Sequence, residues 1–231
     1  MATGYQGAPD SGFVFIADEG SGFLMEVDSS GAKLWEQDLD FNQGTKVRRT
    51  ADGGFAVLAM SWLDIGEEAV ENPSLLKTDA AGEEEWRQNY GGPQSNQAFD
   101  FDLNEDGSFI LAGHSPAFGA ANWDCALTKV SASGQQEWIK HFGQPRGYDA
   151  EFVHDECYGV RQDTDGGFVM VGGTGDEYNY SEEGHPSGPS DEWKAYAIKV
   201  DTNGDVVWEQ VYDDGPDRGH NAAEFLSLTS D

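Results

Sequence analysis

The chain has 231 residues, 43 of them acidic and 13 basic, for a formal net charge of −30. Such an excess of acids argues against nucleic acid, whose phosphates need Lys and Arg, and against an electrostatic hold on anionic membranes. It points instead to a strongly solvated surface suited to high salt, or to acids that bind cations. No apolar run reaches the roughly 18–20 residues of a membrane span, and MATGYQGAPD carries no signal-peptide pattern.

In chain order, one unit recurs four times. Its turn-and-strand element reads DSGFVFIAD (10–18), DGGFAVLAM (52–60), DGSFILAGH (106–114) and DGGFVMVGG (165–173). Its second element reads FLMEVDSSGAKLWEQDL (23–39), SLLKTDAAGEEEWRQNY (74–90), ALTKVSASGQQEWIKHF (126–142) and AIKVDTNGDVVWEQVY (197–212). Gly31, Gly82, Gly134 and Gly204 each precede by four residues a Trp: Trp35, Trp86, Trp138 and Trp208. The apolar runs are short and β-prone, bounded by Gly and Asp, and no stretch sustains a helical period. A weaker strand precedes each turn element: 45–51, 98–105, 156–164 and 223–230. Four strands per unit make the blade of a β-propeller. The fold class is therefore all-β, a single domain over 1–231 with repeat units near 10–51, 52–105, 106–164 and 165–231. Strands are lettered A, innermost, to D.

The phase of the repeat suggests how four blades close. Strand 223–230 is expected to pair with strand 12–17, completing the first blade and removing two sheet edges. The alternative is part of a larger propeller. Cys125 and Cys157 read as two free buried thiols, with a bridge between adjacent blades as the alternative.

The pattern DGGFVMVGG…AIKVDTNGDVVWEQVY resembles the tandem repeats of bacterial and archaeal secreted or cell-surface β-propeller proteins, over nearly all of residues 10–231. The resemblance implies an extracellular setting and a binding or scaffold role. Glu26 departs from the strand lysine found at Lys77, Lys129 and Lys199.

Function is expected on the rim formed by the B–C and D–A loops, which are long and irregular at 61–73, 115–125, 143–156, 174–194 and 213–223. That rim collects Trp62, Trp123, Trp193, Tyr178 and Tyr180, with His154, His185 and His220, and His114 at its edge. Aromatic faces beside carboxylates suit sugar rings. In such a site the loop tryptophans are expected to be exposed and the four repeat tryptophans mostly buried. On the inner strands, Lys46, Arg48, Arg49 and Arg161 are expected to pair with channel acids such as Asp102 and Asp163, or to hold a small anion. DLNEDG (102–107) opens like a calcium loop but has Gly113 where the bidentate acid belongs, so no cofactor is assigned and calcium is the one left open. HDE (154–156) could begin a metal or acid/base site. The preferred reading is a non-enzymatic extracellular binding or adhesion module for a glycan or protein. The alternatives are a carbohydrate-active lyase or hydrolase on the same rim, and a structural repeat in a larger assembly.

Overall fold

A computed structural model describes residues 3–7, 13–18, 22–65, 68–116, 123–144, 154–175, 193–212 and 221–229. These form four antiparallel sheets of four strands each, and among the described residues there is no helix. The first sheet holds β1 (Thr3–Gly7), β2 (Phe13–Asp18), β3 (Gly22–Val27) and β4 (Lys33–Asp38). The second holds β5 (Gln43–Arg49), β6 (Phe55–Ile65), β7 (Glu68–Thr78) and β8 (Glu84–Asn89). The third holds β9 (Gln97–Leu103), β10 (Phe109–Ser115), β11 (Asp124–Val130) and β12 (Gln136–Phe142). The fourth holds β13 (His154–Gln162), β14 (Phe168–Gly175), β15 (Lys194–Val200) and β16 (Val206–Tyr212). In every sheet the spatial order follows the chain order, as in a propeller blade.

The outer hairpin turn explains the recurring D-x-x-G. Asp28 Oδ1 accepts the backbone N–H groups of Ser30 and Ala32, and Asp79 and Asp201 do the same two and four residues on. The glycine that follows has φ between 79° and 83° at all four turns, a conformation that L side chains resist. The strand lysine answers the D-G-G aspartate. Lys77 Nζ lies 2.9 Å from Asp52, and Lys199 Nζ lies 2.7 Å from Asp165. In the first sheet Glu26 stands in that place, and its Oε2 accepts the indole N–H of Trp35 at 2.6 Å.

Neighbouring sheets meet through one repeated seam. In the first three sheets the Trp of the outer strand covers the turn glycine of the next sheet, so that a Cβ on Gly82 would lie 2.5 Å from Trp35, one on Gly134 2.9 Å from Trp86, and one on Gly204 3.1 Å from Trp138. The same rings meet Phe55, Phe109 and Phe168 at centroid distances of 5.7, 6.0 and 6.3 Å. Four residues past each Trp, Leu39, Tyr90 and Phe142 close the seam at 4%, 6% and 8% exposure. Aromatic burial of this kind carries both area and edge-to-face attraction. Trp35, Trp86 and Trp138 are half-buried rather than mostly buried, and Trp208 is 43% exposed, because no described residue of a following sheet covers it.

Three further expectations change. The inner edge of β2 is paired by β1, with Gly7 opposite Phe13, so the place foreseen for 223–230 is taken. Residues 221–229 form no strand; Ala223 donates its N–H to Gly172 O, and Glu224 and Leu226 approach Gly159 of β13. A strand of five residues in a weakly apolar stretch left too little pattern to read. The segment 61–73 is not an irregular loop: β6 and β7 continue as a hairpin out to the Ile65–Glu68 pair. Finally, Cys125 of β11 and Cys157 of β13 are joined in a disulfide with Cα atoms 5.1 Å apart, stitching the third sheet to the fourth.

Candidate functional site

The inner strands carry a bulge at a matching place. In β5, Gly44 faces Ala59 and Lys46 faces Leu58, leaving Thr45 as the extra residue. In β9 the extra residue is Phe99, and in β13 it is Tyr158. A register shift also falls between Thr3 and Gln6 of β1. A classic bulge bends its strand and re-aims a side chain. Opposite two of these bulges the partner strand must be glycine: a Cβ on Gly113 would sit 1.9 Å from Gln97 O, and one on Gly172 1.7 Å from Glu156 O.

The consequence is convergence. Thr45, Phe99 and Tyr158 all line one cleft of about 400 Å³, where the inner strands of three sheets begin, on the B–C/D–A side. Glu224 and Phe225 of the C-terminal segment form another wall, and the Phe225 ring is 82% exposed. Lys46 and Asp100 complete the lining.

Asp100 gathers the inner-strand cations. Arg161 reaches it at 2.5 Å, Lys46 at 3.2 Å and Arg48 at 3.6 Å, while Arg48 also lies 3.6 Å from Asp102. A carboxylate only 4% exposed is held there by surrounding positive charge. Asp163, the other foreseen acceptor, instead takes Lys199 at 2.6 Å.

Behind the aromatic wall lies a cluster of ionisable groups. The Tyr158 hydroxyl donates to Glu156 Oε2, and His114 Nδ1 lies 4.0 Å from the same oxygen. His154 Nδ1 lies 3.6 Å from Glu156 Oε1. The His114 ring stands 5.1 Å from Phe99 and edge-on to Trp123 at 4.8 Å, with Nε2 2.8 Å from Gln97 Oε1. Burial pushes the His114 imidazole down to about 4, with the nearby His154 acting in the same direction and Glu156 against both. Burial raises Glu156, but the neighbouring His154 imidazole, the His114 charge and the Tyr158 hydroxyl together outweigh it and hold the carboxyl below its usual value. Nearby, burial and then the charge of Asp155 push Asp124 up to about 6. Asp155 itself is buried and accepts the Thr174 hydroxyl and the N–H of Gln144.

Of the residues singled out in the sequence, His154 and the edge residue His114 enter this cluster, and Trp123 packs against it. Trp62 is 55% exposed on the β6–β7 hairpin, its backbone N–H given to Asn42 Oδ1. Trp193, expected at the surface, is 6% exposed because its indole lies flat on Gly173, whose Cβ would sit 2.2 Å from the ring. Tyr178, Tyr180, His185 and His220 lie outside the described residues. Phe99 and Tyr158 escaped sequence reasoning as site residues, whereas Glu156 belongs to the HDE triplet (154–156) that it singled out. The available signal was the glycine pair in FILAGH and FVMVGG, which permits the bulges. Among the described residues no group of three or more His, Cys, Asp or Glu side chains is arranged to hold a metal. In DLNEDG, Asp102 is engaged by Arg48, and Asp106 by the Ser108 hydroxyl and N–H.

No protein family matches the sequence, and no curated protein matches it either. Solved structures do. The chain is similar to the Dos1 propeller, at 13% identity and a TM-score of 0.50, over 86% of this chain and 44% of that one. Weaker likenesses include a protein of unknown function from Bacteroides caccae (12% identity, 91% and 81% of the two chains, TM-score 0.47) and cobalt-substituted Synechocystis apocarotenoid oxygenase (12%, 90% and 48%, TM-score 0.49). The chain thus spans under half of the Dos1 propeller chain it matches. With four antiparallel four-stranded sheets in chain order, it has the β-propeller type of architecture.

Proposed function

We propose that the chain is a non-enzymatic binding module acting outside the cytoplasm, and that it holds a glycan in the cleft between Phe99 and Tyr158. The observation that carries this reading is the use of inner-strand bulges to aim Thr45, Phe99 and Tyr158 into one concavity. The two rings and Phe225 offer faces for the C–H side of a sugar. Glu224 and Lys46 offer an acceptor and a donor for hydroxyls, and Asp100 holds Lys46 in place. The Cys125–Cys157 bridge supports an oxidising compartment, and the charge of −30 suits a soluble surface in salt. A glycan array run with and without calcium tests the reading. One glycan class should bind equally in both arms, since the cleft draws on aromatic and hydrogen-bonding groups; no binding above background in either arm would overturn it.

A second reading has one specific observation behind it. Glu156, carrying the Tyr158 hydroxyl and flanked by two imidazoles, is a candidate acid/base group for a carbohydrate-active lyase or hydrolase. Product release from the array's best glycan, abolished by Glu156→Gln with binding retained, would favour it over the binding module.

A further inference from the structure

The seams inside the chain show what each sheet face accepts, and the two end sheets display the two halves of that seam uncovered. On the fourth sheet, Trp208 is 43% exposed and Tyr212, four residues on, is 56% exposed, where Leu39, Tyr90 and Phe142 are all under 9%. On the first sheet, Gly31 has the turn conformation of its three counterparts, φ 82°, yet nothing lies within 4 Å of where its Cβ would be. The other three turn glycines are each capped by a Trp. Phe13 opens β2 opposite Val27, the register place of Phe55, Phe109 and Phe168 in their sheets. Among the described residues, extensive packing runs from each sheet to the next along the chain and not from the fourth back to the first.

We infer that these faces close on a second copy of this chain: the fourth sheet of each copy seats on the first sheet of the other, making a two-copy ring of eight sheets. The acceptor for Trp208 is built into the same sequence, in Gly31 of the first sheet, and among the described residues of one molecule the fourth sheet does not pack on the first. A head-to-tail contact gives a ring when the rotation closes and a filament when it does not. Inside the chain the Tyr90 hydroxyl donates to Gly134 O at 2.9 Å, and the Tyr212 hydroxyl is positioned in the repeat to do the same for Gly31 O of the partner copy.

The test is mass in solution, measured by light scattering in about 0.5 M NaCl to screen the charge. The wild-type chain should run at about twice its 25.1 kDa. Trp208→Arg and Gly31→Asn should each run as single copies, Asn being tolerated at positive φ. Gly107→Asn, at a turn of equal φ away from any seam, should leave the mass unchanged. Mixing Trp208→Arg with Gly31→Asn should restore a two-copy species, because one seam of the mixed ring has both native halves. Circular dichroism unchanged from wild type keeps the variants interpretable, and Tyr212→Arg serves if Trp208→Arg misfolds. A wild-type chain of single-copy mass, an unlimited polymer, or a mixture that does not associate would overturn the inference.

Discussion

The Tyr158 hydroxyl donates to Glu156 Oε2, and that single bond ties the open wall of the cleft to the buried imidazoles behind it. Tyr158 faces the cleft only because β13 carries an extra residue there, and Glu156 faces His114 across the boundary between the third and fourth sheets. A ligand that moves the ring therefore acts on a carboxylate flanked by two histidines.

The ionisation shifts of His114 and Asp124 oppose each other. His114 is depressed to about 4, so its contribution is present above its ordinary 6.5 and lost as pH falls from 6.5 toward 4. Asp124 is raised to about 6, so its ionisation destabilises the fold as pH rises from its ordinary 3.8 through 6. Wild-type stability should change little between pH 4 and 6.5. Asp124→Asn should be more stable than wild type at pH 7 by about 1 kcal/mol, discounted for partial exposure, and should lose up to about 3 kcal/mol on acidification to pH 4. Urea unfolding at several pH values measures both; an Asp124→Asn curve parallel to wild type would refute the assignment.

The Cys125–Cys157 bridge spans 32 residues and crosses between sheets. Cys125→Ser with Cys157→Ser should cost about 3 kcal/mol, chiefly by freeing the unfolded chain. Denaturant midpoints with and without reductant check this: reductant should shift the wild type and leave the double variant unmoved.

Trp138 covers Gly204 and meets Phe168 at 6.3 Å, but it is half-buried. Trp138→Ala should therefore cost about 2–3 kcal/mol, below the 3–5 of a fully buried ring. Chemical denaturation measures it, and a cost under about 1 kcal/mol would show that the seam is not held by its tryptophan.

A formal charge of −30 opposes the compact state through self-repulsion. The melting temperature should rise by several degrees from about 0.05 M to about 1 M NaCl as the Debye length shrinks. Differential scanning calorimetry reads this directly, and a flat response would remove salt adaptation from the account.

Much of the architecture was legible because the repeat writes nearly the same physics four times: an Asp, or Ser131 in the third copy, that caps a turn, a Gly at φ near 80°, and a Trp four residues on. The inner edge of the first sheet was not, since TGYQG carries almost no apolar alternation while AEFLSLTS carries a clear one. β1 takes the ladder and the better-patterned segment lies outside it. In the site, His154 stood out as part of a polar triplet, and Trp123 as a loop aromatic. Phe99 and Tyr158 looked like ordinary members of inner strands. A bulge is a property of two strands, and only the facing glycines, Gly113 and Gly172, hinted at it. Trp193 misled for a related reason: Gly173, which lets it lie flat and buried, sits some twenty residues away in sequence.

The account rests on the cleft, and the most direct measurement is titration calorimetry of the best array glycan against wild type, Phe99→Ala, Tyr158→Ala and Trp62→Ala. Phe99→Ala and Tyr158→Ala should each weaken binding about tenfold or more, ~1.4 kcal/mol, with melting temperatures near wild type, while Trp62→Ala on the projecting hairpin should bind as wild type. Undiminished affinity in both cleft variants, or loss confined to Trp62→Ala, would contradict a glycan site at the inner-strand bulges.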